Sequence, residues 1–284
     1  MRYLFGPVNS RRLGISQGID LLPGFCTFNC IYCEVNRQKI QTCKRREYTP
    51  TAAIIAEIDT LFAGQVNGSP APDVYTITAS GEPTLHTGIG RIIRHIKART
   101  NKPVDVLTNG SLLHSAEVRD ELMAADVVVP SLDSALPESF RRVNRPAPGL
   151  NLEKIITGIR QFKLEFPGEI WLEILLVKGV NDSEADIAAL RETIKLISPH
   201  KTQLNTVDRP PFGIADPVPH QKLSIIARNL SGPVEIIASP AKRQTVTQQT
   251  IESSRIIELL RRRPCTCLDI SQALRYDESL TETV

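Results

Sequence analysis

Cysteine is scarce, with 6 in 284 residues, and so are tryptophan (1), methionine (2) and aromatic residues as a group (5%). So few thiols exclude the disulfide framework that holds small secreted domains. An excess of one charge is missing as well. The formal net charge is +3, too small to argue for nucleic acid by itself. No apolar run approaches the roughly 20 residues needed to cross a bilayer, so no membrane partner is expected. The opening residues Met1-Arg2-Tyr3-Leu4-Phe5-Gly6-Pro7 lack the apolar stretch of a secretory leader. A cytoplasmic location is the expectation. Disorder is excluded by a hydrophobic content of 41%, enough for a substantial core.

Apolar residues recur at helical spacing in six segments. Ile54, Ile58, Leu61 and Phe62 follow Pro50-Thr51, a good helix start. Ile89, Ile92, Ile93 and Ile96 form a second stripe, and Val118 and Leu122 a shorter third. Leu152, Ile155, Ile156, Ile159 and Phe162 follow Asn151 as N-cap. Ile187, Leu190, Ile194 and Ile197 follow Ser183, with Asp186 three residues on as a capping-box variant. Leu223, Ile226 and Leu230 mark the sixth. Runs of strand character lie at residues 14–22, 74–78, 104–107, 127–129, 170–177 and 203–207. Most read as short and apolar or β-branched, as strands buried on both faces do.

Alternating strands and helices imply an α/β fold with parallel strands and right-handed crossovers. Six units are too few for the eight-unit closed barrel. An open, partial (β/α)6 TIM-like barrel is expected, with a doubly wound open sheet as the alternative. In both, ligands bind beyond the carboxyl ends of the strands. The unusual polar peptides all follow strands: Ser80-Gly81-Glu82-Pro83, Thr108-Asn109-Gly110, Ser131-Leu132-Asp133, Lys178-Gly179-Val180-Asn181-Asp182 and Asp208-Arg209-Pro210-Pro211. This core spans residues 1–240; residues 241–250 read as a polar linker, and residues 251–284 as a small helical module. Ile256, Leu259 and Leu260 mark one helix of that module, residues 266–274 a second, and Ser279 the start of a third. The module is similar to the first helices of a winged helix.

The cysteines are unevenly placed. Cys26-Thr27-Phe28-Asn29-Cys30-Ile31-Tyr32-Cys33 has the spacing C-x3-C-x2-C, directly after the first strand. Three thiolates on one loop suit three irons of a cubane and leave the fourth iron for a substrate or cofactor. A zinc site is the alternative and requires a fourth ligand, for which Cys43 is at hand. Cys43, Cys265 and Cys267 are also candidates for a second cluster, or simply separate thiols.

The spacing, with Tyr32 before the last cysteine, resembles the signature of the radical S-adenosylmethionine (SAM) superfamily, and the resemblance covers roughly residues 1–240. It implies a [4Fe–4S] cluster on Cys26, Cys30 and Cys33, with SAM on the open iron. Ser80, Gly81 and Glu82 resemble the peptide that binds the SAM amino group, where a carboxylate and strand-end carbonyls suit an ammonium. Asn109, Ser131 and Asp133 are similar to the residues holding its carboxylate and ribose, Asp133 being the natural ribose acceptor. Gly179 and Val180 resemble the peptide lining the adenine. The opening Gly6-Pro7-Val8-Asn9-Ser10-Arg11-Arg12-Leu13-Gly14 resembles a subgroup of iron–sulfur oxidoreductases loosely related to the wyosine-forming tRNA enzymes. Phe140-Arg141-Arg142-Val143-Asn144-Arg145-Pro146 resembles another peptide of that subgroup. Arg11, Arg12, Arg145 and Arg209 are candidates for gripping a substrate anion or the SAM carboxylate.

The implied reaction is reductive cleavage of SAM to a 5′-deoxyadenosyl radical that abstracts hydrogen from a substrate. The electron would come from an external donor of flavodoxin or ferredoxin type. RNA base modification, activation of a glycyl-radical protein, and peptide or small-molecule rearrangement all remain open as the outcome. A cluster-bearing binding or sensing protein without turnover is the reading from another class.

Overall fold

The computed structural model describes residues 2–10, 12–34, 40–64, 71–209, 211, 213–237, 253–262 and 265–274. The sequence-derived linker, the third tail helix and Arg11 lie outside the described residues. The core is one sheet of eight strands in the order β1-β2-β5-β6-β7-β8-β9-β10. These are β1 (Leu4–Ser10), β2 (Gly14–Pro23), β5 (Val74–Ser80), β6 (Val104–Thr108), β7 (Val127–Pro130), β8 (Glu169–Leu176), β9 (Lys201–Thr206) and β10 (Val234–Ile236). A separate two-stranded ladder joins β3 (Phe25–Cys26) to β4 (Ile40–Gln41). From β2 onward the main sheet is parallel, and only β1 runs antiparallel to its neighbour.

Each parallel strand is added beside its predecessor, with no reversal of order. A doubly wound sheet needs such a reversal. The structure therefore has the winding of a partial barrel, with its crossover helices on one face and a lumen on the other. All six expected strands are present. The flanking strands β1, seven residues long, and β10, three residues long, are not among the expected elements, nor is helix α4 (Pro137–Asn144).

The helices seat themselves by their apolar stripes. Those that cover the sheet include α1 (Thr51–Ala63), α2 (Ile89–Lys97), α3 (Ala116–Leu122), α5 (Leu152–Glu165), α6 (Glu184–Ile197) and α7 (His220–Asn229). Ile54, Ile92, Ile96, Leu122, Ile159, Phe162 and Leu190 are fully buried against the strands, each contributing about 1.5–3 kcal/mol. The expected caps form: Asn151 Oδ1 accepts from the Lys154 amide at 3.2 Å, and Ser183 and Asp186 form a capping box.

The expectation of strands apolar on both faces fails on the inner side. β8 alternates, with Leu172, Ile174 and Leu176 buried under helices and Glu173 and Leu175 facing the lumen. Thr76, Thr78 and Ser80 of β5 do the same, at every second position of Val-Tyr-Thr-Ile-Thr-Ala-Ser. The inner wall is polar because it encloses a cavity of about 400 Å³, not a packed core.

Two tail helices, α8 (Ser253–Arg262) and α9 (Cys267–Leu274), form a small apolar cluster of Ile256, Leu259, Ile270, Ala273 and Leu274 that packs on Val8 of β1. Thr266 caps α9 reciprocally with Asp269. No helix among the described residues is long and apolar enough to cross a membrane.

Candidate active site

The cysteine loop leaves β2, and three elements hold it. The amides of Asn29 and Ile31 donate to the carbonyls of Asn144 and Val143 at the end of α4, both at 3.0 Å. Thr27 Oγ1 meets Ser111 Oγ at 2.7 Å and also accepts from Asn109 Nδ2 at 2.7 Å, after the end of β6. Glycine is dictated at position 81 by close approach: a Cβ there would stand 1.9 Å from the carbonyl oxygen of Phe25, next to Cys26.

None of the six cysteines is in a disulfide. Cys26 is buried, and Cys30 and Cys33 are half-buried. Cys26 Sγ accepts from the Phe28 amide at 3.5 Å and from Asn109 Nδ2 at 3.6 Å. Cys30 Sγ accepts from Asn144 Nδ2 at 3.5 Å. Amide donors aimed at sulfur favour the thiolate, the form that binds iron. Three thiols on one loop, two of them so prepared and the third lining the cavity, fit an iron–sulfur group. Among the described residues no three His, Cys, Asp or Glu side chains close on a single point, as a mononuclear zinc ion requires. A cubane spreads three thiolates over three irons, so its ligands stand farther apart than those around one ion. Cys43 lines a separate groove beside His114 and Lys154, where burial raises its pKa, and Cys265 packs against the α8–α9 cluster.

Asp133 organises the cavity side of this loop. Its Oδ2 accepts from Tyr32 Oη and from Asn144 Nδ2, both at 2.6 Å, and its Oδ1 accepts from the Leu175 amide at 2.9 Å. Asn144 thereby bridges Asp133 to Cys30. Burial pushes the Asp133 pKa up to about 6, against the opposing pull of these hydrogen bonds. The family resemblance implies a ribose contact for Asp133; in this structure its carboxylate accepts from Tyr32, Asn144 and the Leu175 amide of β8.

Glu82 also departs from expectation. It is buried beneath the strand ends, where its carboxylate accepts from Thr84 Oγ1 and Thr108 Oγ1 at 2.6 Å and from the Asn109 amide at 2.7 Å. Burial raises its pKa despite those donors. It ties the end of β5 to the end of β6 and does not face the cavity. Asn109 joins it to the cysteine loop. Ser80 and Ser131 do line the cavity, and Ser80 Oγ donates to Asp20 Oδ2 at 2.6 Å. Gly179 sits in an exposed turn at φ +71°, and Val180 packs with Val177 and Ile31, so neither lines the cavity.

The arginines divide. Arg12 faces the cavity but pairs with Glu173 at 3.0 Å. Arg209 clamps Glu34, one residue past Cys33, to Asp269 of α9, at 3.0 Å on each side. Arg145 is exposed at the left-handed C-cap of α4 and contributes its carbonyl, which accepts from Gln41 Nε2 at 2.6 Å. The sequence reading missed Asp20, Glu173 and Asn144 as site residues. A charge in the middle of the apolar alternation of β8 is the signal for Glu173.

A partial barrel with a three-thiol loop at the carboxyl ends of its strands, above a polar cavity, is the architecture of a cofactor-dependent barrel enzyme. A profile of the Radical SAM superfamily matches residues 21–190, and the chain belongs to that superfamily. Membership implies SAM and an iron–sulfur cluster. A UPF0026 protein of Synechocystis is 38% identical over 209 residues, covering 73% of this chain and 76% of that one. A UPF0026 protein of Helicobacter pylori is 35% identical over 264 residues, covering 90% and 82%. A chain named GTPase Obg from Brachyspira hyodysenteriae is 33% identical over 282 residues; the match covers 97% of this chain but only 41% of that relative's length. Among solved structures, a radical SAM methyltransferase from Sphaerobacter thermophilus aligns with a TM-score of 0.59 at 15% identity, covering 78% and 66%. TYW1 with a lysine–pyruvate adduct bound aligns at 0.55 and 21%, covering 79% and 74%. These likenesses establish the fold.

Proposed function

We propose that the chain is a radical SAM enzyme whose Cys26, Cys30 and Cys33 hold one [4Fe–4S] cluster and whose barrel cavity holds the substrate. The observation that carries this is the joining of the three-thiol loop to that cavity through Cys33, Tyr32 and Asp133. Together, the cluster and SAM would supply one-electron reductive cleavage to a 5′-deoxyadenosyl radical, fed by an external donor of flavodoxin or ferredoxin type.

The chain's own residues do the positioning. Asn109 and Asn144 aim amide donors at the cluster thiols. Asp133 fixes the Tyr32 ring beside Cys33, and Ser80 with Asp20 offers the SAM ammonium an anionic strand end in place of Glu82. The half-closed barrel keeps water from a reactive intermediate. The test is anaerobic reconstitution and reduction, with 5′-deoxyadenosine and methionine measured. Iron-loaded, reduced protein that binds SAM without cleaving it would leave a cluster-binding or sensing protein instead.

A further inference from the structure

We infer that Asn144 tunes the electron affinity of the cluster: it fixes an amide hydrogen on the Cys30 thiolate and so raises the cluster's reduction potential. The inference deepens the radical SAM reading above and rests on it. Asn144 is the last residue of α4 and is only 3% exposed. Arg145 follows at φ +45°, in the left-handed region where a residue other than glycine is strained. That turn ends the helix with Asn144 against the cysteine loop. Its carbonyl accepts from the Asn29 amide at 3.0 Å, and its side chain reaches the same loop independently. Asn144 Nδ2 donates to Asp133 Oδ2 at 2.6 Å and to Cys30 Sγ at 3.5 Å. A carboxamide nitrogen carries two hydrogens, and each acceptor takes one.

A polar side chain that only closes a helix C-terminus turns to the last carbonyls. This one turns to Asp133 and Cys30 instead. The bond to Asp133 is the shorter, so it anchors the amide and directs the second hydrogen at sulfur. Asp133 is itself fixed by Tyr32 Oη at 2.6 Å and by the Leu175 amide at 2.9 Å. The donor on Cys30 is therefore held from three sides: by α4, by the cysteine loop and by β8. Reduction adds one electron to a cluster whose three thiolates already carry negative charge. A hydrogen bond to sulfur stabilises that added charge, and the potential rises. The external one-electron donor then gives up its electron to the cluster more readily.

The test is a potentiometric titration of the full, anaerobically reconstituted chain without SAM, followed by electron paramagnetic resonance. Asn144→Leu keeps the side-chain shape and removes both hydrogens. It should load iron as the wild type does and be harder to reduce. The reduced-to-oxidised ratio at a fixed potential should fall about tenfold, which is about 59 mV for one electron. Tyr32→Phe removes another bond of 2.6 Å from the same Asp133 oxygen but leaves the hydrogen on sulfur. Its potential should stay at the wild-type value. If Asn144→Leu does not load iron, Asn144→Asp, with the same shape and no amide hydrogen, should show the same fall. Three results would each overturn the proposal: an unchanged or higher potential in an iron-loaded Asn144 variant, an equal fall in Tyr32→Phe, or failure of both Asn144 variants to load iron. The last would leave Asn144 a structural support and nothing more. Absence of a cluster from the wild type would instead remove the reading beneath the proposal.

Discussion

Three side chains carry the cluster assignment, and each makes a separable prediction. Cys26→Ala, Cys30→Ala or Cys33→Ala should abolish iron binding, from about four irons per chain. Cys43→Ser, Cys265→Ser and Cys267→Ser should leave it intact; iron and sulfide analysis with absorption spectra checks both sets. Asp133→Asn is the more searching change. It puts an NH2 group against donors that now meet a carboxylate, so the Tyr32 ring and Cys30 should lose their fixed placement. The expected result is retained iron with an altered electron paramagnetic resonance spectrum and weakened SAM binding. Protonation of Asp133 below about 6 should reproduce the altered spectrum in the wild type. The cysteine motif was legible because its spacing lies within eight consecutive residues. The commitments of Glu82 and Asp133 were not, because their donors come from Thr108, Asn144 and β8, remote in sequence and joined only by the fold.

At the scale of elements, β6 holds an ionisable group that the chemistry does not use. Asp105 is buried, and its Oδ1 has no hydrogen-bond partner. Burial first, then Asp126 and Glu169, push its pKa up to about 7. The folded pKa thus lies above the unfolded value, so the folded state binds the extra proton. Stability is greatest below the unfolded value near 4 and is lost as pH rises through about 7. Asp105→Asn should therefore stabilise by on the order of 2 kcal/mol at pH 8 and by much less at pH 5. Thermal melts of both proteins at the two pH values test this, and an equal gain at both would refute it. Gly81→Ala should act on the join between β5 and β3, forcing Phe25 and the cysteine loop aside. The expected cost is about 1–3 kcal/mol together with reduced iron loading. Long helices and central strands were legible from period and caps. The flanks β1 and β10 were not: Gly6-Pro7 interrupts β1 and reads as a break, and β10 has only three residues, too few to show a period.

Across the whole molecule, the barrel opening and the tail helices are one construction. Leu259, Asp269 and Ala273 reach the cavity, and Arg209 ties α9 to the residue after the last cluster cysteine. Truncation at residue 241 should keep iron binding, since every cluster thiol precedes it. It should also raise abortive SAM cleavage by letting water into the cavity. Loss of iron in a folded truncation would show instead that the tail supports the cysteine loop. The measurement that bears most directly on the central claim is 5′-deoxyadenosine formation by anaerobic, reduced protein supplied with SAM, in wild type and in Cys30→Ala. The account predicts steady formation in the wild type and none in the variant. No product from iron-loaded wild type, or equal product from both proteins, would contradict it.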